Sequence, residues 1–359
     1  MLQFICSFVS IMSTIGSILL ALLLFAILIF IHELGHYTAG KIFKFKINEF
    51  SIGFGKAIYS KKRANGETFS IRLIPLGGYC AFEGEEDQNS DVEGAFNKQA
   101  WWKRLIVLFG GVFFNFVSAC IVAIPLLMVF GNAIPIVTSF VDSTPNHIEY
   151  DMSTLQEGDI ILRVDGTKPT YTNGGIQLLT RNKGNSTYTV TIDREGQTLD
   201  IEITNIVVGQ DDKGKDVYGV GIDGIEYVKY DFFKSVVMSV PFCFEMAGDC
   251  LKIVGELFVG KTQLSDLGGP VTTITTIAQA TNRSVLYLLL LFPVIAVNLA
   301  VFNFLPFPAL DGGRAVFVII EGIRKKPINQ KVEQSIHTAG LLILFAFVIV
   351  VDFLQMFIW

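Results

Sequence analysis

Of the chain's 359 residues, 51% are hydrophobic and 17% charged, and the formal net charge is −5. That composition falls outside the range of soluble globular domains and predicts a polytopic membrane protein. The slightly acidic balance, with no Lys/Arg cluster interleaved with aromatics, excludes nucleic acid as a partner class.

Four stretches are apolar enough to cross a hydrocarbon core of about 30 Å, which takes roughly 20 helical residues. They run near Ile15–Ile31, Leu105–Phe130, Val285–Phe304 and Ala339–Ile358. The first lacks a basic leader and ends in His32-Glu33-Leu34-Gly35-His36 instead of a small-residue cleavage site, so it is expected to stay attached. Two histidines four residues apart share one helix face and can share a metal, while Glu33 can act as base toward the metal's water. Zinc suits that donor set. Position adds weight to the pattern, because an ionisable side chain in a span costs about 2.5–3.5 kcal/mol on insertion scales and normally has a task. The bland reading is an interfacial run that snorkels to water.

Lys41, Lys44, Lys46, Lys61, Lys62 and Arg63 follow this span, and Arg324, Lys325, Lys326 and Lys331 lie between spans three and four. Both loops are therefore expected in the cytoplasm and the long 131–283 segment outside. Alternation over Ile47–Phe54 and Thr68–Leu73, separated by Lys62-Arg63-Ala64-Asn65-Gly66, predicts a cytoplasmic β-hairpin, with Gly53-Phe54-Gly55 and Pro75-Leu76-Gly77-Gly78-Tyr79 at its ends. The predicted organisation is 1–130 for the first two spans with the hairpin and 131–228 for a β-rich extracytoplasmic module. Residues 229–283 then form an interfacial amphipathic segment, and 284–359 hold the last two spans. In the module, strands are expected at Asp159–Asp165, Tyr188–Asp193 and Thr198–Ile203, with turns at Asp165-Gly166 and Glu195-Gly196. Tyr230–Val259 reads as an amphipathic helix broken near Pro241, a fifth span being the alternative. The five cysteines show neither metal-ligand spacing nor a disulfide framework.

A catalytic zinc takes three protein ligands and leaves one position open. Asp311 is the candidate third ligand, in Asn303-Phe304-Leu305-Pro306-Phe307-Pro308-Ala309-Leu310-Asp311-Gly312-Gly313-Arg314, where prolines interrupt the third span. Irregular backbone at membrane depth is tolerated only where it is buried in protein or lines a wet cavity. A turn or cap is the other common use of such an Asp. His337 is a rival ligand, and Asp352 lies toward the far end of span four.

These motifs, in this order, resemble the bacterial site-2 protease family of intramembrane metalloproteases over nearly the whole chain. The resemblance implies a membrane α-helical fold of about four transmembrane helices with a membrane-associated hairpin. It implies Zn2+ held by His32, His36 and Asp311, with Glu33 as general base on zinc-bound water. Gly53, Phe54 and Gly55 match its hairpin signature, and Asn303 is expected to hold substrate backbone or the developing oxyanion. Gly110-Gly111-Val112-Phe113-Phe114-Asn115-Phe116 is similar to its second-span pattern, with Asn115 assigned to interhelical packing. Gly269-Pro270-Val271 resembles an element before the third span. Leu155–Gly166 looks like part of a PDZ domain, a fold that captures peptides on a sheet edge, although Pro145–Tyr150 departs from the usual run. Expected partners are single-span membrane protein or peptide substrates and a peptide ligand of the PDZ-like module, in a multi-pass cell-membrane protein whose active site lies near the cytoplasmic side. Two readings from other classes stay open: a membrane metal transporter, and a non-catalytic PDZ scaffold with structural zinc.

Overall fold

The computed structural model describes residues 2–85, 90–140, 155–170, 187–204, 206–210, 216–260 and 268–357. In chain order the elements are α1 (Leu2–Ile42), β1 (Ile47–Lys62), β2 (Thr68–Phe82), α2 (Trp101–Val129), β3 (Pro135–Phe140), β4 (Ile160–Val164), β5 (Thr187–Arg194), β6 (Gln197–Thr204), β7 (Ile206–Gln210), β8 (Asp216–Gly219), β9 (Ile222–Tyr227), α3 (Phe232–Phe258), α4 (Pro270–Arg283), α5 (Leu288–Phe304), α6 (Asp311–Arg324) and α7 (Gln330–Phe357). Among the described residues four helical stretches are long and apolar enough to span a membrane: Thr14–Ile42, Trp101–Val129, Val285–Phe304 and Gln330–Phe357. The chain divides into two compact units, residues 1–122 with 250–359, and residues 123–249.

In the first unit, α1 runs about three turns past its apolar stretch and closes at Lys44, whose φ of 60° is a left-handed cap conformation. The helix therefore carries His32, Glu33 and His36 on continuous, rigid backbone. It meets α2 at glycines: a Cβ on Gly35 would lie 2.1 Å from the carbonyl oxygen of Gly110, so only two glycines allow these backbones to touch. Below that crossing, Ala39, Phe45, Ile47, Phe82, Phe96, Val107, Leu108, Ala315 and Val318 form a buried cluster that joins α1, the base of the hairpin, α2 and α6.

β1 and β2 make the expected antiparallel pair, but each is longer than alternation predicts. The two glycine-bearing motifs lie inside the strands and not at their ends. Gly53 and Gly55 have φ of 86° and 83°, and the register shifts repeatedly around them, so the ribbon bends back on itself. Ser51 accordingly has partners on both sides, Tyr79 and Ser70. The hairpin turn is tied to α1 by Glu67, which is 1% exposed and accepts from Lys41, from Arg63 at 3.0 Å and from Asn65 at 3.0 Å. Burial alone would push the Glu67 carboxyl up; the hydrogen bonds from Lys41 and Asn65 outweigh it and hold it below the usual carboxylate value.

The third span does not simply end at its prolines. Backbone from Leu305 to Leu310 is non-helical, and a separate helix, α6, starts at Asp311. The sequence motif alone did not indicate α6. Ahead of the third span, α4 starts at Pro270, and its N-terminus is capped by Asp352 of α7, which accepts from the amides of Val271 and Thr272 at 3.3 Å each. A Cβ on Gly269 would sit 2.3 Å from that carboxylate, which explains the glycine of the Gly-Pro-Val element. Asp352 is thus a helix cap for α4.

In the second unit, antiparallel strands follow the order β6-β5-β4-β3-β9, and β7-β8 form a separate pair. Alternation in β5 sends Tyr188, Val190 and Ile192 inward, where they pack with Val137, Leu155, Ile161 and Val164. Asp159, 1% exposed, takes two 2.7 Å bonds from the Arg194 guanidinium. The Pro145–Tyr150 departure lies outside the described residues. α3 runs without a break through Pro241, contrary to the expected interruption. Proline removes one ladder bond and introduces strain, and the remaining bonds of a 27-residue helix carry it through.

Candidate metal centre

One turn of α1 places the imidazoles of His32 and His36 side by side, ring centroids 4.7 Å apart. Their Nε2 atoms are 3.1 Å apart and both face Asp311, whose Oδ2 is 3.0 Å from His32 Nε2 and 3.4 Å from His36 Nε2. All three ligand atoms lie within 4.8 Å of one another. Asp311 is the first residue of α6, and its carboxylate faces the two imidazoles.

The surroundings are shaped to these rings. A Cβ on Gly111 would come within 2.6 Å of both His32 Cε1 and His36 Nε2, so this glycine is what leaves the imidazoles their space. Gly78 does the same for Glu33, whose Cγ would lie 3.1 Å from a Cβ there. The second nitrogen of each ring is also held. His36 Nδ1 is 2.8 Å from the carbonyl oxygen of Val107, to which it donates, and this leaves Nε2 as the lone-pair atom. His32 Nδ1 is 3.2 Å from the amide of Asn115, whose Oδ1 is buried without a partner. The expected interhelical bond of Asn115 therefore exists, and its partner is a candidate ligand. Gly111 and Asn115 are four apart on α2 and so share a face, a spacing that could have signalled their joint role.

A cavity of about 730 Å³ adjoins this cluster, lined by His32, Glu33, His36, Asp311 and Arg314 together with the strand segment 79–82. Arg314 is ion-paired with Glu85, just beyond β2. Neither residue was singled out in the sequence, since an Arg after a Gly-Gly pair and an isolated Glu have many uses. Gly53, Phe54, Gly55 and Asn303 are not part of this lining. Phe54 is 47% exposed on the bend of the hairpin, and Asn303 is half-buried near the end of α5.

His337, the rival ligand, is engaged elsewhere: its Nδ1 accepts from the Ala309 amide at 3.0 Å. The His32, His36 and Asp311 donors fit a zinc ion on two grounds. Two imidazole nitrogens and a carboxylate converge as a three-ligand site requires, and Asp311 Oδ2 is buried with no hydrogen-bond partner of its own.

Membrane-length helices, and a cluster of His32, His36 and Asp311 that could hold a metal ion beside a cavity, are the features of a membrane metalloprotein. The profile of peptidase family M50 matches residues 20–347, and the chain belongs to that family. Among its relatives, a Fusobacterium nucleatum protein named "Putative zinc metalloprotease FN1322" is 30% identical, covering 93% of this chain and 96% of its own. "Putative zinc metalloprotease CPE1693" of Clostridium perfringens is 32% identical with the same coverage. One from Brucella suis is 26% identical over 96% of both chains. The chain is thus a multi-pass membrane metalloprotease of the zinc-dependent class.

Proposed function

We propose that this protein is an intramembrane zinc metalloprotease of the site-2 type, hydrolysing peptide bonds of single-span membrane proteins. The observation that carries the reading is the convergence of His32, His36 and Asp311 beside Glu33 on one wall of a cavity. His32 and His36 through Nε2 and Asp311 through Oδ2 would hold the ion. Zinc there supplies Lewis acidity that polarises a peptide carbonyl and lowers the pKa of water. Glu33 takes a proton from the attacking water and hands it to the leaving nitrogen. Val107 and Asn115 keep the two rings aimed, so the donor geometry is set before substrate arrives.

A transmembrane helix hides its carbonyls in hydrogen bonds, so the substrate must be extended before it can react. Segment 79–82, which lines the cavity beside Glu33, is the part of the hairpin placed to pair with such a strand. Gly53, Phe54 and Gly55 would act at one remove, by bending the ribbon that carries it. Asn303 is proposed to hold substrate backbone arriving along α5. The charge bias supports a cytoplasmic hairpin and metal centre and an outward-facing 131–283 segment. As a PDZ-like module, residues 131–228 would bind a peptide or exclude substrates that retain bulky outer domains.

Incubation of the purified protein with a panel of single-span membrane peptides, with and without chelator, tests the reading. Chelator should abolish cleavage. Glu33→Gln should also abolish it while keeping zinc, and Asp311→Ala should lose both. Chelator-insensitive cleavage, or undiminished turnover by Glu33→Gln, would sink the mechanism. Metal transport without cleavage would favour a transporter instead.

A further inference from the structure

The loop that presents Asp311 is bound to α7 at two points on one face of that helix. Gly340 packs against Pro308 so closely that a Cβ would lie 2.4 Å from the proline Cβ and 2.8 Å from its carbonyl oxygen. Three residues earlier, His337 Nδ1 accepts from the Ala309 amide at 3.0 Å. Ala309 has a φ of 80°, in the left-handed region that a side chain disfavours, and it precedes Asp311 by two residues. Backbone held in that region returns to an ordinary conformation when its restraint is removed, and Asp311 would move with it.

We propose that His337 is a positioning residue of the metal centre: by accepting from the Ala309 amide it locks the loop that aims Asp311 at His32 and His36. The inference rests on Asp311 being a metal ligand, as proposed above. Because Nδ1 accepts, the ring proton sits on Nε2, which is buried without a hydrogen-bond partner. The ring lies against Phe317 at 5.4 Å between centroids. Only the δ position of the ring does the work, and this separates positioning from mere packing.

Three substitutions use that distinction. In His337→Asn the amide oxygen occupies the place of Nδ1 and can accept the same bond. In His337→Gln the oxygen moves to the ε position, away from Ala309, and His337→Leu keeps bulk without an acceptor. Apparent zinc affinity of the full-length protein in detergent, measured by chelator competition, should fall roughly tenfold or more for the Gln and Leu variants and stay within about threefold for Asn. Amide hydrogen exchange over residues 305–313 in the metal-free protein should speed up in Gln and Leu and not in Asn. Wild-type affinity in His337→Leu, or equal rescue by Gln and Asn, overturns the proposal. The exchange readout needs no metal, so it separates two failures. If the loop loosens as expected but Asp311→Ala still binds zinc, the ligand assignment is at fault, and the metal role of His337 falls with it. If Asp311→Ala loses zinc and neither His337 readout moves, the lock alone is wrong.

Discussion

Gly111→Ala tests whether the metal centre is as tightly enclosed as its glycines imply. The added Cβ would meet His32 Cε1 and His36 Nε2 at 2.6 Å and His32 Nδ1 at 2.7 Å. Ordinary contact begins near 3.4 Å, so the rings or the helices must separate by about 0.8 Å, the difference between 3.4 and 2.6 Å. Metal–ligand distances are held to about 0.2 Å, and a misplacement of about 1 Å in a reacting group costs on the order of 10²-fold in rate. Turnover should therefore drop by about two orders of magnitude, with weakened zinc binding. Helix propensity pulls the other way, because Ala is favoured over Gly by up to about 1 kcal/mol in a helix interior. Gly16→Ala, on the same type of helix but with nothing within 4 Å of the new Cβ, is the matched control and should be silent. Peptide cleavage and chelator competition on both variants give the answer. Near-wild-type zinc affinity and turnover in Gly111→Ala would refute the claim that this face of α2 is moulded to the imidazoles.

Asn115→Leu should lower zinc affinity by about 10–100-fold by leaving His32 without an orienting partner, whereas Asn115→Asp, which keeps an acceptor, should lose far less; chelator competition measures both. Glu67→Gln should weaken the tie between hairpin and α1 by about 1–2 kcal/mol, a figure kept low because Lys41 and Arg63 are 38% and 49% exposed. The folded Glu67 carboxyl lies below its ordinary value of 4.5, so its stabilisation is complete above that pH and is lost as pH falls through the lowered value. Limited proteolysis of the hairpin should quicken there in the wild type but not in Glu67→Gln. A cysteine placed at Lys61 or Lys325 should resist labelling from outside intact cells, while one at Lys168 should react; external labelling of Lys61→Cys would reverse the proposed orientation.

The spans, the His-Glu-x-x-His turn and the return of Asp311 to its side were legible because each depends on local properties: run length, spacing of four on a helix, and a proline-broken helix end. What escaped depends on contacts between distant segments. Alternation over Ile47–Phe54 shows a strand, but that the ribbon bends inside it at Gly53 and Gly55 follows from pairing with both Tyr79 and Ser70 sides at once. Pro241 looks like a breaker by propensity, and its neighbours' hydrogen bonds override it. Asn115 and His337 are ordinary polar residues in apolar surroundings until His32 and Ala309 are placed against them. Asp352 likewise becomes intelligible only with the amides of Val271 and Thr272 beside it.

Those polar contacts bear on the metal itself. In apolar surroundings an unpaired buried donor or acceptor costs about 1–3 kcal/mol, and the side chains that face one another between these helices are mostly paired: Ser17 with Asn282 at 2.6 Å, His36 with Val107, Asp352 with α4. Two orphaned oxygens sit next to the imidazoles, Asp311 Oδ2 and Asn115 Oδ1. A cation held by His32, His36 and Asp311 would account for both: Asp311 would supply Oδ2 to it, and His32, ligating through Nε2, would carry its ring proton on Nδ1, where Asn115, with its amide turned over, would accept through Oδ1. Zinc should accordingly stabilise the folded protein, by about 2.7 kcal/mol when free zinc is 100 times Kd. The shift should vanish in Asp311→Ala, which removes the carboxylate, and shrink in Asn115→Leu, which removes the acceptor for Nδ1. Thermal unfolding in detergent at controlled free zinc measures it. An equal zinc-induced shift in wild type and Asp311→Ala would place the bound metal elsewhere on the chain and leave the two buried oxygens without this explanation.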